Sequence, residues 1–199
     1  MTSVEGSSET DSSHRSTDPR LEDVGRARGV QEVTGRALHV VLVEPEIHWN
    51  TGNAGRTCLA VGAQLHLVEP LGFSLDDREV RRAGLDYWER VNPRVWPSWD
   101  ELEAALPQLG EPFFASPDAE RTVWDVRYPE RTVLVFGGES LGLPAPIRAR
   151  HRNRLVRLPM QDPELRSINV STAVGVYAFE VLRQWRTSDY GREEASPAR

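Results

Sequence analysis

Lysine is missing from this chain: all 24 basic residues are arginine, set against 30 acids for a formal net charge of −6. Cysteine is nearly missing too. With Cys58 alone an internal disulfide is impossible, and His14, His39, His48, His66 and His151 show no metal-ligand spacing, so no metal site is expected. Cys58 itself reads as a small buried residue on a helix rather than as a nucleophile. There is no run of eighteen apolar residues and no apolar h-region at the N-terminus. Neither a membrane span nor secretion is therefore expected, and the protein reads as cytoplasmic. The chain also contains no G-x-G-x-x-G and no P-loop, which removes the two commonest phosphate-binding fingerprints.

What is present divides into a core and two tails. Residues 1–34 are rich in Ser, Thr, Glu, Asp and Gly, a composition that cannot repay its ordering entropy, and read as a disordered acidic tail; residues 187–199 read as a second disordered tail. The first holds seven acids and four arginines, the second three acids and two arginines, so residues 35–186 carry a net charge of only −2. The acidic balance thus does not bar a nucleic-acid partner. Within the core, arginines cluster at Arg78, Arg81 and Arg82 and again at Arg148, Arg150, Arg152, Arg154 and Arg157. As plain structure these are solvated faces, but arginine also offers a planar fork to phosphate that lysine lacks.

A chain of 199 residues with 39% hydrophobic content can bury one good core. Strand and helix signals alternate along it, which predicts a single α/β domain over 35–186 with a mostly parallel sheet. Strands are expected at Leu38–Val43, Gln64–Val68, Tyr87–Val91, Pro112–Ser116, Thr132–Phe136 and Arg154–Leu158. Helices are expected from Asn50 to about Val61 with Gly62 as the stop, at Asp76–Ala83, at Ser98–Leu106 with a Ser98 cap, after Pro144, and at Asn169–Trp185. The apolar positions Val170, Val174, Tyr177, Val181 and Trp185 of the last helix recur at helical spacing, as core or as a dimer interface.

The loop Phe136-Gly137-Gly138-Glu139-Ser140-Leu141-Gly142-Leu143 follows an apolar strand, where α/β sheets present backbone groups to ligands. A ligand site is expected there. Together with Glu44-Pro45-Glu46-Ile47, Asn50-Thr51-Gly52-Asn53, Arg56, Glu69-Pro70-Leu71-Gly72-Phe73, Arg81-Arg82-Ala83-Gly84-Leu85-Asp86-Tyr87, Leu158-Pro159-Met160 and Arg166-Ser167-Ile168-Asn169-Val170-Ser171, this loop resembles the SPOUT methyltransferases. The likeness is greatest to the small tRNA wobble-nucleotide 2′-O-methyltransferases of that superfamily, and covers roughly residues 38–186.

That resemblance implies a C-terminal trefoil knot, a rare exception to unknotted topology, a homodimer, and S-adenosylmethionine as methyl donor. It places the donor against the main chain at Ala115, Gly137, Leu158 and Ser167. Glu139 reads as an acceptor that fixes the loop rather than as a base. Arg56 is put at the reaction centre, with Asn53 holding the same loop or the ribose. Free arginine titrates above about 12, which favours Arg56 as an electrostatic organiser and leaves a deprotonated role as the alternative. Arg81 and Arg82, with Arg152 and Arg154, are expected to bind tRNA phosphates. Ser116-Pro117-Asp118 stands where relatives commonly carry a Thr-Thr-Lys-like stretch, and Thr172 and Phe179 also depart from the pattern, which bears on substrate choice more than on chemistry. The function implied is 2′-O-methylation of cytidine or uridine at the wobble position of tRNA, probed against two alternatives: action on ribosomal RNA or another tRNA position, and a non-catalytic RNA-binding protein with the same fold.

Overall fold

The computed structural model describes residues 35–75 and 87–194. The expected acidic N-terminal tail, the helix at Asp76–Ala83 and the arginines Arg78, Arg81 and Arg82 lie outside the described residues.

Six strands, all parallel, form one sheet in the order β3-β2-β1-β5-β4-β6. They are β1 (Ala37–Val43), β2 (Gln64–Val68), β3 (Arg94–Trp96), β4 (Glu111–Ala115), β5 (Arg131–Phe136) and β6 (Leu155–Val156). The helices are α1 (His48–Val61), α2 (Trp88–Val91), α3 (Trp99–Leu109), α4 (Ala145–Arg150) and α5 (Val170–Glu194). Both faces of β1 are buried, as a parallel sheet covered by crossovers requires. Leu38, Val40 and Leu42 join Ala54, Cys58, Tyr177, Val181 and Trp185 under α1 and α5. Val41 and Val43 join Leu102, Leu106, Leu143 and Ile147 under α3 and α4 on the other face. Each fully buried aliphatic side chain in these layers contributes about 1.5–3 kcal/mol. Cys58 is 1% exposed and burial pushes its thiol up to about 12, so it is inert packing.

Local signals explain most boundaries. Ser98 Oγ accepts from the Glu101 amide at 3.4 Å and caps α3, and Gly62 ends α1 in the left-handed region at φ 72°. Two expectations fail. Tyr87–Val91 is not a strand: Trp88–Val91 forms the short helix α2, and the strand is Arg94–Trp96 instead. The apolar side chains that read as β signals are drawn onto α1, with Trp88 and Val91 against Gly55 and the Tyr87 hydroxyl donating to Gly52 O at 3.4 Å. The Arg154–Leu158 strand shrinks to Leu155–Val156, because Arg152–Arg154 close a 3-10 turn and Arg157 makes only an isolated bridge to Thr122. In addition, α5 runs to Glu194, beyond the boundary at residue 186 read from composition. Among the described residues no helix is long and apolar enough to cross a membrane.

A buried polar trio ties β1, β2 and β3 together. Trp96 Nε1 can only donate, and it does so to His66 Nδ1 at 3.0 Å. The neutral His66 ring therefore carries its proton on Nε2 and donates it to His39 Nδ1 at 2.9 Å. Burial, then the charges of His39 and Arg94, pull His66 down to about 3, and burial with Arg131 lowers His39. Between about pH 6.5 and 3 the unfolded chain therefore binds protons that the folded chain refuses, so stability falls as the pH falls. At pH 5 the His66 contribution to that loss is about 2 kcal/mol. Urea unfolding at pH 7.5 and pH 5 should show wild type losing more stability than His66→Gln, which does not titrate; equal losses would contradict this account.

Candidate active site

Loops at the C-terminal ends of β1, β4, β5 and β6 converge on one open cleft of about 910 Å³, the place where a parallel sheet with strands running off to both sides of β1 offers a crevice. The glycine loop 136–143 forms one wall. Its ring is closed by Gly142 N donating to Gly138 O at 2.9 Å, with Gly142 at φ 68°. A Cβ at Gly137 would sit 2.0 Å from the Gly142 carbonyl carbon and 2.1 Å from Leu143 N, so the loop can fold back on itself only with glycine there. The Leu158–Asn169 segment forms the opposite wall, and Ala115 with Ser116 and Pro117 the floor beside β4.

The loops are locked by side chains from far along the chain. Glu139 Oε2 accepts from the Glu46 amide and Oε1 from Asn50 Nδ2, both at 2.8 Å. In return the Glu46 carboxylate accepts from Ser140 N at 3.1 Å and from the Ser140 hydroxyl. Asn50 Oδ1 then accepts from Asn169 Nδ2 at 2.8 Å, and Asn169 Oδ1 accepts from Ser171 N at 2.9 Å and Ser171 Oγ at 2.7 Å, capping α5. The orientation of both amides is forced, because a carboxylate that only accepts stands at one end and a backbone donor at the other. Both oxygens of Glu139 are thus engaged in holding the glycine loop to α1, as an acceptor that fixes the loop would be.

All four residues expected at the donor, Ala115, Gly137, Leu158 and Ser167, line this cleft. Asn53 and Arg56 do not. Both are exposed on α1, with the Arg56 guanidinium carbon 4.9 Å from the centroid of the Tyr87 ring. Asn50, 7% exposed, and Asn169 do line the cleft, though the sequence reading assigned Asn50 no site role. The helix begins earlier, with Ile47 as an N-cap lacking a side-chain bond, and this frees Asn50 to point inward. Asn169 was missed in the same way. The small residues Thr51, Gly52 and Ala54 beside it, which let α1 pack closely, were the available signal for the first; the second depended on a contact 119 residues away. Of the other arginines, Arg154 pairs with Glu111 at the sheet edge, whereas Arg152 is exposed. Among the described residues there is no group of three or more potential metal ligands.

The cleft floor is closed by Tyr177, whose hydroxyl donates to Val156 O at 2.6 Å and whose burial raises its pKa, so it stays a neutral phenol. The arrangement is a backbone-rich slot with fixed loops and an open mouth, suited to an extended small molecule held by main-chain groups and to a second reactant entering from solvent.

Comparison with known proteins agrees. The SpoU rRNA Methylase family matches residues 37–179. The chain is 47% identical over 149 residues to the tRNA (cytidine(34)-2′-O)-methyltransferase of Burkholderia cenocepacia, a match covering 74% of this chain and 95% of that one. A solved structure described as "Structural insights into the 2-OH methylation of C/U34 on tRNA" is similar with a TM-score of 0.72 and 42% identity, covering 77% of this chain and 99% of the other. The SpoU methyltransferase AviRb of Streptomyces viridochromogenes, solved in complex with AdoMet, shares the fold at a TM-score of 0.65 and 23% identity, covering 77% of this chain and 60% of its own. With the motifs, the parallel sheet and the looped cleft in place, the chain belongs to the SpoU rRNA methylase family.

Proposed function

We propose that this protein methylates the ribose 2′-hydroxyl of the wobble cytidine or uridine of tRNA, using S-adenosylmethionine, in the cytoplasm. The observation that carries this reading is that Ala115, Gly137, Leu158 and Ser167 converge on one cleft whose loops are fixed without any ligand side chain being spent. The residues fit the donor: glycine and loop backbone on one wall, Leu158 and Ser167 on the other, leave main-chain groups free to meet an adenosine and an amino acid moiety. When bound there, S-adenosylmethionine supplies an electrophilic methyl group. The rest of the work is positioning, since an in-line displacement gains most from alignment of the reacting atoms.

The hydroxyl must be held and must lose its proton as its oxygen attacks. Arg56 and Asn53 are suited to gripping the target phosphate and ribose, yet they stand outside the cleft of their own chain. The outer side of α1 carries Trp49, Asn53 and Arg56, and the neighbouring exposed side of α5 carries Thr172, Val176 and Phe179. An exposed apolar strip of this kind beside the site supports a homodimer in which Arg56 reaches the cleft of the second copy. The reading includes the C-terminal knot. After β6 the chain passes the β4–β5 connection, held by Val123 N donating to Arg157 O at 2.8 Å and Arg157 N to Arg121 O at 2.9 Å, before α5 packs on the opposite face from α4. Those contacts between the segment after β6 and the β4–β5 connection support a threaded C-terminus.

Purified protein with labelled donor, an anticodon stem-loop transcript and a full-length tRNA should yield a 2′-O-methyl group at the wobble nucleotide by mass spectrometry. Methyl groups found only outside the anticodon loop, or only on ribosomal RNA, would overturn the assignment.

A further inference from the structure

A second groove, of about 760 Å³, adjoins the donor cleft and shares Asp118 and Arg148 with it. Three separate segments bring arginines to it: Arg121 from the β4–β5 connection, Arg148 from α4, and Arg152 from the 3-10 turn. The arginine cluster of residues 148–157 is therefore sorted by the fold. Arg150 pairs with Glu103 and Arg154 with Glu111, so their charges are spent on structure. The Arg152 side chain, in contrast, is exposed and makes no ion pair or hydrogen bond among the described residues. Arg121 donates to the Asn153 carbonyl at 2.6 Å, which aims its guanidinium without neutralising it. Arg148 is tied to Asp118 at 2.8 Å.

We propose that this groove is a phosphodiester track for the RNA, binding backbone on the side of the target nucleotide that lies toward α4. The inference rests on the reading that the chain acts on tRNA. Planar guanidinium groups on a shallow open surface suit successive singly charged phosphates. The two carboxylates present, Asp118 and Glu120, leave the groove only mildly positive and disfavour a compact dianion. They also give the test a second sign.

Fluorescence anisotropy with a labelled anticodon stem-loop and with full-length tRNA, read over a range of salt, tests this on the full chain. Arg121→Ala/Arg152→Ala should weaken RNA binding about tenfold or more and flatten the salt dependence by roughly 0.7–0.9 per lost contact. Glu120→Gln should tighten binding a few-fold. Donor affinity, measured by calorimetry, should stay at the wild-type value in both. Arg152→Ala alone, which removes no structural contact, guards against misfolding and should show part of the loss. Equal RNA affinities in wild type and the double variant, or a Glu120→Gln variant that binds RNA more weakly, would overturn the groove. Wild-type methylation at a position other than the wobble nucleotide would instead overturn the functional reading, while the change in salt slope would still report on the groove.

Discussion

Arg56→Ala should lower turnover by roughly 30- to 1,000-fold while the dissociation constant for S-adenosylmethionine stays within about twofold of wild type. The figure corresponds to about 2–4 kcal/mol of transition-state stabilisation, the scale on which preorganised charge acts on developing charge. The asymmetry follows from position. Arg56 is exposed on α1, rests on the Tyr87 ring and lines no part of the cleft, so its removal leaves the donor's walls intact. Its stacking on Tyr87 is worth about 0.5–1 kcal/mol at an exposed site, so the fold should survive the change. Single-turnover assays paired with calorimetry separate the two effects. An Arg56→Ala protein that loses donor binding as badly as it loses rate would contradict the division of labour between α1 and the loops.

How much of this was legible in the sequence depended on whether a feature was local. The Ser98 cap, the Gly62 stop and the glycine loop rest on short-range signals, and each lies where the sequence puts it. The Tyr87–Val91 segment was misread because its aromatic and β-branched residues carry the same signal whether they pair in a sheet or pack on a helix; contact with Gly55 decided the matter. That Gly137, Leu158 and Ser167 would meet at one cleft was legible through motif resemblance, since each lies in a segment that carries it. The locking network was not. Glu46 meets Ser140 across 94 residues and Asn50 meets Glu139 across 89, pairings that only the fold creates. The arginine cluster was visible as composition, but nothing in its spacing distinguished Arg154, bound to Glu111, from Arg152, left facing the groove.

Gly137→Val should abolish donor binding and with it all activity, for a reason that lies in the loop rather than in contact with the ligand. A Cβ at this position would fall 2.0 Å from the Gly142 carbonyl carbon and 2.1 Å from Leu143 N, both main-chain atoms that cannot swing aside. The loop must open, and the Glu139 bonds to Glu46 and Asn50 that depend on it are strained or lost. The sheet beneath is untouched, so circular dichroism should remain close to wild type while calorimetry shows no donor binding at millimolar concentration. Retained donor affinity would sink this role for the loop. The same variant also interrogates assembly. If Arg56 acts in the cleft of a second copy, co-folding Gly137→Val chains with Arg56→Ala chains creates a mixed dimer in which one cleft is intact and receives an intact Arg56 from its partner. Activity should then rise to as much as half of the wild-type value per mixed dimer, from one protein that is inactive alone and one that is strongly impaired. A mixture with no more activity than its parents, despite demonstrated subunit exchange, would place Arg56 and the donor in the same chain.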